Sequence, residues 1–352
     1  MIPTFALAGK AMSWRAGLVA LLVLPIHACG SEPVNPDEGN LGGDTTGSPT
    51  PPDTVPGDSI LAPGPQPGPD SIPPPVDSVV PPAPSAPPSH EGIPFGPAHM
   101  PAENFAEYSG TIYTATDPNK LLRDLETARR ANTRLFISFT GNQQFWRDSN
   151  GGFSLANWKE RVDRFRGVDL TPYIAEGTIL GHFVLDEPED KTNWNDTQVP
   201  PAMIEEIAAY SKQIWPTMVT MVRTPPTYLD GQQYSHLDAA RVQYLDRFSP
   251  IDSFITANVE GAEALGLALV GGLNVLNGGG ETSGIPGRKQ GKFAMNPDEI
   301  RSWGTRFLSE SYICAFIVWE YDSTYLARPG IREALAELAR IAGSRPKKEC
   351  RA

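Results

Sequence analysis

An α/β fold is predicted: a closed barrel of eight parallel strands alternating with helices, or (β/α)8, carried behind a long unfolded spacer. Three observations lead there. The chain has 352 residues and 36 prolines, and half of those prolines lie between Gly30 and Glu91. The 261 residues from 92 to 352 match the roughly 250 residues of a TIM-like barrel. Within them, short apolar runs alternate with amphipathic stretches, the rhythm of parallel βαβ units. An open doubly wound sheet is the alternative, and an irregular or missing strand is compatible with either.

Eight strands are expected in order. They are Ile93 to Ala98, Tyr108 to Thr114, Arg134 to Thr140, Thr178 to Leu185, Met218 to Val222, Ala240 to Leu245, Leu267 to Leu276 and Ile313 to Trp319. The second is the weakest of them. Thr178 to Leu185 (TILGHFVL) and Cys314 to Trp319 (CAFIVW) are almost continuously apolar, as strands buried on both faces are. Helices are expected from Asp117-Pro118, Ser154 to Phe165, Pro200 to Ile214, Pro250 to Leu265, Pro297 to Leu308 and Gly330 to Ala342. Asp117 is suited to the N-cap and Pro118 to the first turn.

Charge divides the chain in the same way. Residues 1–29 carry +2, residues 30–91 carry −9 without one Lys or Arg, and the remainder carries −5. Residues 30–91 lack the apolar surface to offset ordering entropy, so an extended, disordered Pro/Asp-rich spacer is expected there. No basic footprint for phosphate exists, which excludes a nucleic-acid partner. The run Ala16 to Ile26 follows Lys10 and Arg15 and is eleven residues long, too short to span a bilayer. It reads as an export signal.

The four residues Ile26-His27-Ala28-Cys29 that end this signal resemble a bacterial lipobox, in which the Cys is lipidated. That resemblance implies a signal over 1–29, a tethered spacer over 30–91 and a globular domain over 92–352. It implies a lipid anchor at Cys29 and a place in the cell envelope, at the outer membrane or cell surface; without lipidation the chain is secreted. An export route permits a disulfide. Cys314 starts the last strand at the barrel bottom, and the chain after the last helix has seven residues with which to bring Cys350 to it.

In such barrels the carboxyl ends of the strands build the site. The residues that follow each strand are His99; Asn142 with Trp146; Asp186-Glu187-Pro188; Arg223; Tyr244; Asn274; and Trp319-Glu320-Tyr321. Carboxylates, amides and indoles dominate. A nucleophilic Cys, a G-x-S-x-G elbow and paired His ligands are all missing, so no metal and no cofactor are expected. Gly278-Gly279-Gly280 has no helix behind it, which argues against a nucleotide loop.

Leu185-Asp186-Glu187-Pro188 resembles the strand end of clan-A barrel glycoside hydrolases, where Asn-Glu-Pro carries the general acid/base. The resemblance implies Glu187 as proton donor. Asp186 stands where the family has Asn, and its charge would raise the pKa of Glu187. Glu320, after the Phe316-Ile317-Val318-Trp319 strand, looks like the family's nucleophile. It lies four strands beyond Glu187, where the family interval is three. Glu281 in the Gly-rich loop has the right interval but a poor support, and is the alternative nucleophile. Asp186, His99, Asn142, Trp146, Arg223, Tyr244, Asn274, Trp319 and Tyr321 are the expected substrate contacts. The activity implied is hydrolysis of a poly- or oligosaccharide by a monomeric, membrane-tethered enzyme. A barrel lipoprotein that binds glycan or another ligand without cleaving it is the alternative.

Overall fold

The computed structural model describes residues 91–351. The expected export signal, the expected lipidation at Cys29 and, apart from Glu91, the expected spacer over 30–91 fall outside the described residues. Eight parallel strands form one sheet: β1 (Phe95–Pro97), β2 (Gly110–Thr114), β3 (Arg134–Ser138), β4 (Ile179–Asp186), β5 (Val219–Arg223), β6 (Ala239–Arg241), β7 (Ala268–Gly271) and β8 (Ile313–Val318). Their order is β1-β8-β7-β6-β5-β4-β3-β2, every neighbouring pair parallel. The fold is the expected TIM-like barrel.

β1 and β2 meet at a seam that lacks a regular ladder. His99 N–H donates to Ile112 O (2.8 Å), Thr111 Oγ1 donates to Pro97 O (2.6 Å), and Phe95 N–H donates to Ser109 Oγ (3.1 Å). Hydroxyls thus complete the pairing that backbone groups leave open. The two strands approach so closely that a Cβ on Gly96 would strike Gly110 O, so a side chain here would pry the seam apart.

The outer layer comprises α1 (Pro118–Ala131), α2 (Leu155–Asp163), α3 (Thr171–Ala175), α4 (Pro201–Ile214), α5 (Ile251–Leu265), α6 (Pro297–Leu308), α7 (Ser323–Leu326) and α8 (Ile331–Gly343). Asp117 caps α1 by accepting from Lys120 N–H (2.9 Å), with Pro118 at the first turn. Ser154 caps α2 in the same way, and Asn296 with Glu299 forms a full capping box on α6.

Alternation along the strands separates two cores. Leu135 and Ile137 of β3 pack outward on the helices, while Phe136 points into the barrel. The interior stacks Phe136, Phe183 and Met221 against the small Ala239 and Ala268. Large beside small fills the cylinder without a void. His182 of β4 faces the helix layer instead, buried with its Nδ1 2.8 Å from Ser211 Oγ and its ring stacked on Trp158. Burial lowers its pKa to about 3, so it is neutral, a packed core group.

Two strands are shorter than the apolar runs suggest. The run Leu267 to Leu276 is ladder only over Ala268–Gly271, and Ala240 to Leu245 only over Ala239–Arg241. Beyond them the chains continue through the isolated parallel bridges Tyr244↔Leu273 and Asn274↔Trp319. A Cβ on Gly272 would strike Ile317 O, so only glycine fits where the two chains come together.

The C-terminal tail closes the bottom. Cys350 is bonded to Cys314 on β8 (Cα–Cα 5.2 Å), and both sulfur-bearing residues sit with the barrel interior. The crosslink spans 36 residues, a loop whose closure stabilises by about 3–4 kcal/mol in the chain-entropy model. Cys350→Ser is therefore expected to lower the melting temperature by about 10 °C, as is reductant. Calorimetry with and without reductant checks this, and an unchanged melting temperature would contradict it.

Candidate active site at the carboxyl end of the barrel

Parallel register assembles the charged centre. The ladder pairs Asp186 of β4 with Arg223 of β5, and Arg223 with Arg241 of β6. Three consecutive strands thereby end at one level with an acid and two guanidiniums. Glu187 follows Asp186 with φ 45°, a left-handed conformation that costs a non-glycine residue about 1–2 kcal/mol. Its backbone is held on both sides: its N–H donates to Arg223 O (2.9 Å), and its C=O accepts from Trp194 Nε1 (3.0 Å). The twist turns the Glu187 side chain back over the barrel mouth beside Asp186.

One nitrogen grips both acids. Arg223 Nη1 lies 3.0 Å from Asp186 Oδ1 and 2.8 Å from Glu187 Oε1. Glu187 Oε2 is 3.5 Å from Asn193 Nδ2. Burial raises the Glu187 pKa above its ordinary value; Arg223 lowers it, and Asp186 and Asp190 raise it further, so the net displacement is upward. Glu189, two residues on, is pushed up to about 7, chiefly by burial, although Thr224 Oγ1 donates to its carboxylate at 2.7 Å. Arg241 is 1% exposed. It reaches across to Ile317 O on β8 (3.3 Å), and burial lowers its pKa to about 9, which still leaves it cationic at neutral pH.

A cavity of about 380 Å³ opens beside these acids, within the range of ligand pockets. Asp186 and Glu187 form one wall. The connection after the neighbouring β3 supplies the adjoining wall with Asn142, Gln143, Trp146 and Arg147, and Trp319 with His99 completes the lining. His99 has φ 58°, and its imidazole meets the Trp319 indole edge-on at 5.2 Å between centroids. His99 is exposed to the cavity. Desolvation by the surrounding protein lowers its pKa, against opposing pulls from Glu320 and Asp186. It therefore stands in the field of both carboxylates.

Glu320 and Glu281 fare differently. Glu320 follows β8 after Trp319, across a cis peptide, on the rim outside the cavity lining. Arg288, from the loop after β7, bonds Glu320 with Nη1 and Asp322 with Nη2 (3.1 Å to Asp322). Glu281 is exposed, beginning a 3₁₀ turn (Glu281–Ser283). Of the three glutamates, only Glu187 lines the cavity.

Several expected contacts lie elsewhere. Tyr244 is buried between Phe254 and Trp303 of α5 and α6, because past β6 the bridge to Leu273 turns its ring outward. Asn274 spends its side chain accepting from Asn277 N–H (3.0 Å) within its own loop. Tyr321 is drawn to the outer rim; its N–H donates to Ala98 O, and Glu107 and Arg332 are the charges near its hydroxyl. Trp194 is fully buried, so it braces Glu187 and is no sugar platform. Arg241, Glu189, Asn193, Arg147 and Arg288 escaped sequence reasoning. Arg241 had a signal, a lone cation inside an apolar run; Arg288 had none.

Arg223 is the chief group lowering the Glu187 pKa. Without it, folded Glu187 binds its proton more tightly still than the unfolded chain does. The resulting penalty is full above the folded pKa and is relieved as pH falls toward the unfolded value. Arg223→Met is expected to destabilise by about 3–5 kcal/mol at pH 8 and by clearly less at pH 5. Urea melts at the two pH values measure this, and equal deficits would refute the assignment.

No family model matches this chain, and no curated protein does. Among solved structures it is similar to a candidate α-L-fucosidase from Bacteroides thetaiotaomicron (13% identity, 76% of this chain and 100% of that one, TM-score 0.46). It is also similar to xylanase 10B from Thermotoga petrophila (11%, 71% and 94%, 0.44) and a chitinase from Rhizomucor miehei (12%, 66% and 94%, 0.39). At these identities the likeness is one of fold, and no residue role is taken from it.

Proposed function

We propose that the barrel is a glycoside hydrolase in which Glu187 donates a proton to the glycosidic oxygen. The observation that carries this is Glu187 itself: half-buried at the end of β4, lining an aromatic-edged cavity, with its pKa raised. A carboxyl group that holds its proton above the ordinary range is what a general acid needs. Arg223 does not prevent this. When Glu187 takes a proton, the guanidinium keeps Asp186 as its counter-ion at 3.0 Å, so Arg223 is not left without one. Asp186 thus supplies the compensation that lets its neighbour change protonation state.

Glu320 is the partner carboxylate in this reading. Arg288 fixes it on the rim beside Trp319, opposite β4 around the barrel. There it stabilises the positive charge that develops on the sugar ring. Trp319 offers an indole face next to His99 for an apolar sugar face, and Trp146 contributes its edge at the adjoining wall. One observation favours binding without cleavage: Glu320 is engaged by Arg288 and does not share the cavity lining with Glu187.

A Glu187→Gln variant separates the two. Screening against a polysaccharide panel is expected to show hydrolysis by the parent chain and a loss of about 10²–10⁴-fold in kcat in the variant, with binding kept. The parent's alkaline limb is expected above pH 4.5, the ordinary glutamate value, because activity falls as Glu187 loses its proton. Absence of cleavage by the parent on every glycan would leave the binding reading.

Export and tethering are part of the same proposal. They are supported by the basic and apolar residues before Cys29 and by the Pro-rich stretch after it. In a bacterial host, Cys29→Ser is expected to abolish incorporation of labelled fatty acid and release the chain from the membrane fraction. Unchanged labelling would refute lipidation at this residue.

A further inference from the structure

We infer that the site prefers an acidic saccharide and that Arg147 receives its anionic substituent. The inference rests on the glycoside reading of the cavity and names the substrate class within it. Arg147 is the one Arg or Lys among the residues that line the cavity. The neighbouring cations are committed elsewhere: Arg223 to Asp186 and Glu187, Arg288 to Glu320 and Asp322, and Arg161 to Thr140 O at 3.1 Å. Arg147 has no carboxylate among the described residues. Its Nη2 donates to the neutral Gln143 Oε1 (3.0 Å), and its Nε is buried without an acceptor. A cation that lines a ligand cavity with an amide and an indole but no carboxylate for company leaves its charge to be met by whatever occupies that cavity.

Its placement is rigid. The backbone C=O of Arg147 accepts from Asn157 Nδ2 (2.8 Å), and the guanidinium lies over the Trp194 ring, 5.8 Å from the centroid. Trp194 is the residue whose Nε1 donates to Glu187 O. One buried indole therefore touches both the cation and the backbone of the acid. The next residue, Trp146, is 3% exposed with an unpartnered Nε1. The β3 side of the cavity thus brings a cation without a carboxylate, and the β4 side brings the carboxyl groups. A sugar bearing a carboxylate or sulfate matches that polarity: its anion goes to Arg147, and its glycosidic oxygen goes toward Glu187. A neutral sugar leaves the charge unanswered.

The test uses the full chain carrying Glu187→Gln, so that ligands survive, with and without Arg147→Met or Arg147→Lys. Calorimetric titration with oligogalacturonate, oligoalginate, hyaluronan and chondroitin-sulfate hexasaccharides is compared with cello-, xylo- and chito-hexasaccharides. At least one acidic oligosaccharide is expected to bind about tenfold or more tighter than every neutral one. Arg147→Met is expected to erase that margin, and Arg147→Lys to restore part of it. Neutral ligands binding as tightly, no acidic ligand binding, or an acidic preference surviving Arg147→Met would each overturn the inference. Hydrolysis by the parent chain is scored separately: acidic binding without any hydrolysis sinks the proposed chemistry alone, and hydrolysis confined to neutral glycans sinks this inference alone.

Discussion

Arg223 holds the mouth of the barrel together. Two carboxyl groups consecutive in sequence cannot be gathered at the end of a buried strand without a counter-charge, because desolvation and mutual repulsion both oppose ionisation. The β4–β5 register sets Arg223 beside Asp186, and the left-handed turn at Glu187 returns the second acid to the same nitrogen. Removing any one of these features frees a charge in a place where water reaches it poorly. The arrangement is also asymmetric. Asp186 is 28% exposed in its side chain and Glu187 20%, and it is Glu187 that the cavity, Asp190 and Asn193 surround.

Arg241 sets a second constraint from below. A guanidinium inside a barrel core, with one carbonyl contact and an orphaned Nε, is costly to bury. What offsets the cost is the acid pair above it: Asp186 and Glu187 both act on Arg241. The two arginines repel each other and share the two acids, so the cluster is neutral when both acids are ionised and carries +1 when one is protonated. A positive background of this kind favours the ionised acids, and burial works against it. The protonation state of Glu187 is thus balanced by charge on one side and desolvation on the other.

How much of this was legible follows from which forces leave a one-dimensional trace. Seven strands were readable because burial writes short apolar runs, and Tyr108 to Thr114 was the weakest, marked only by Ile112 and Tyr113. The helix starts were readable because caps are local, as with Asp117 and Ser154. The ladder ends at β6 and β7 were not, since they depend on register between distant residues. At the site, Asp186 and Glu187 were visible as acids that leave an apolar strand. Tyr244 was misplaced because side-chain direction at a strand end depends on register, and its bridge to Leu273 sends the ring into the helix layer. Arg288 left no trace because a loop cation gains meaning only from what it meets in space.

The rim holds two charge clusters that differ in kind. Arg223 with Asp186 and Glu187 is enclosed at its cation, and Arg223 and Glu187 have shifted proton affinities. Arg288 with Glu320 and Asp322 is more open at its cation, whose side chain is 41% exposed, while Glu320 itself is 14% exposed. The enclosed cluster has its geometry imposed by strands β4, β5 and β6; the open one depends on a loop. A ligand that enters between them meets carboxyl groups on both sides, with His99 in the field of Glu320 and Asp186.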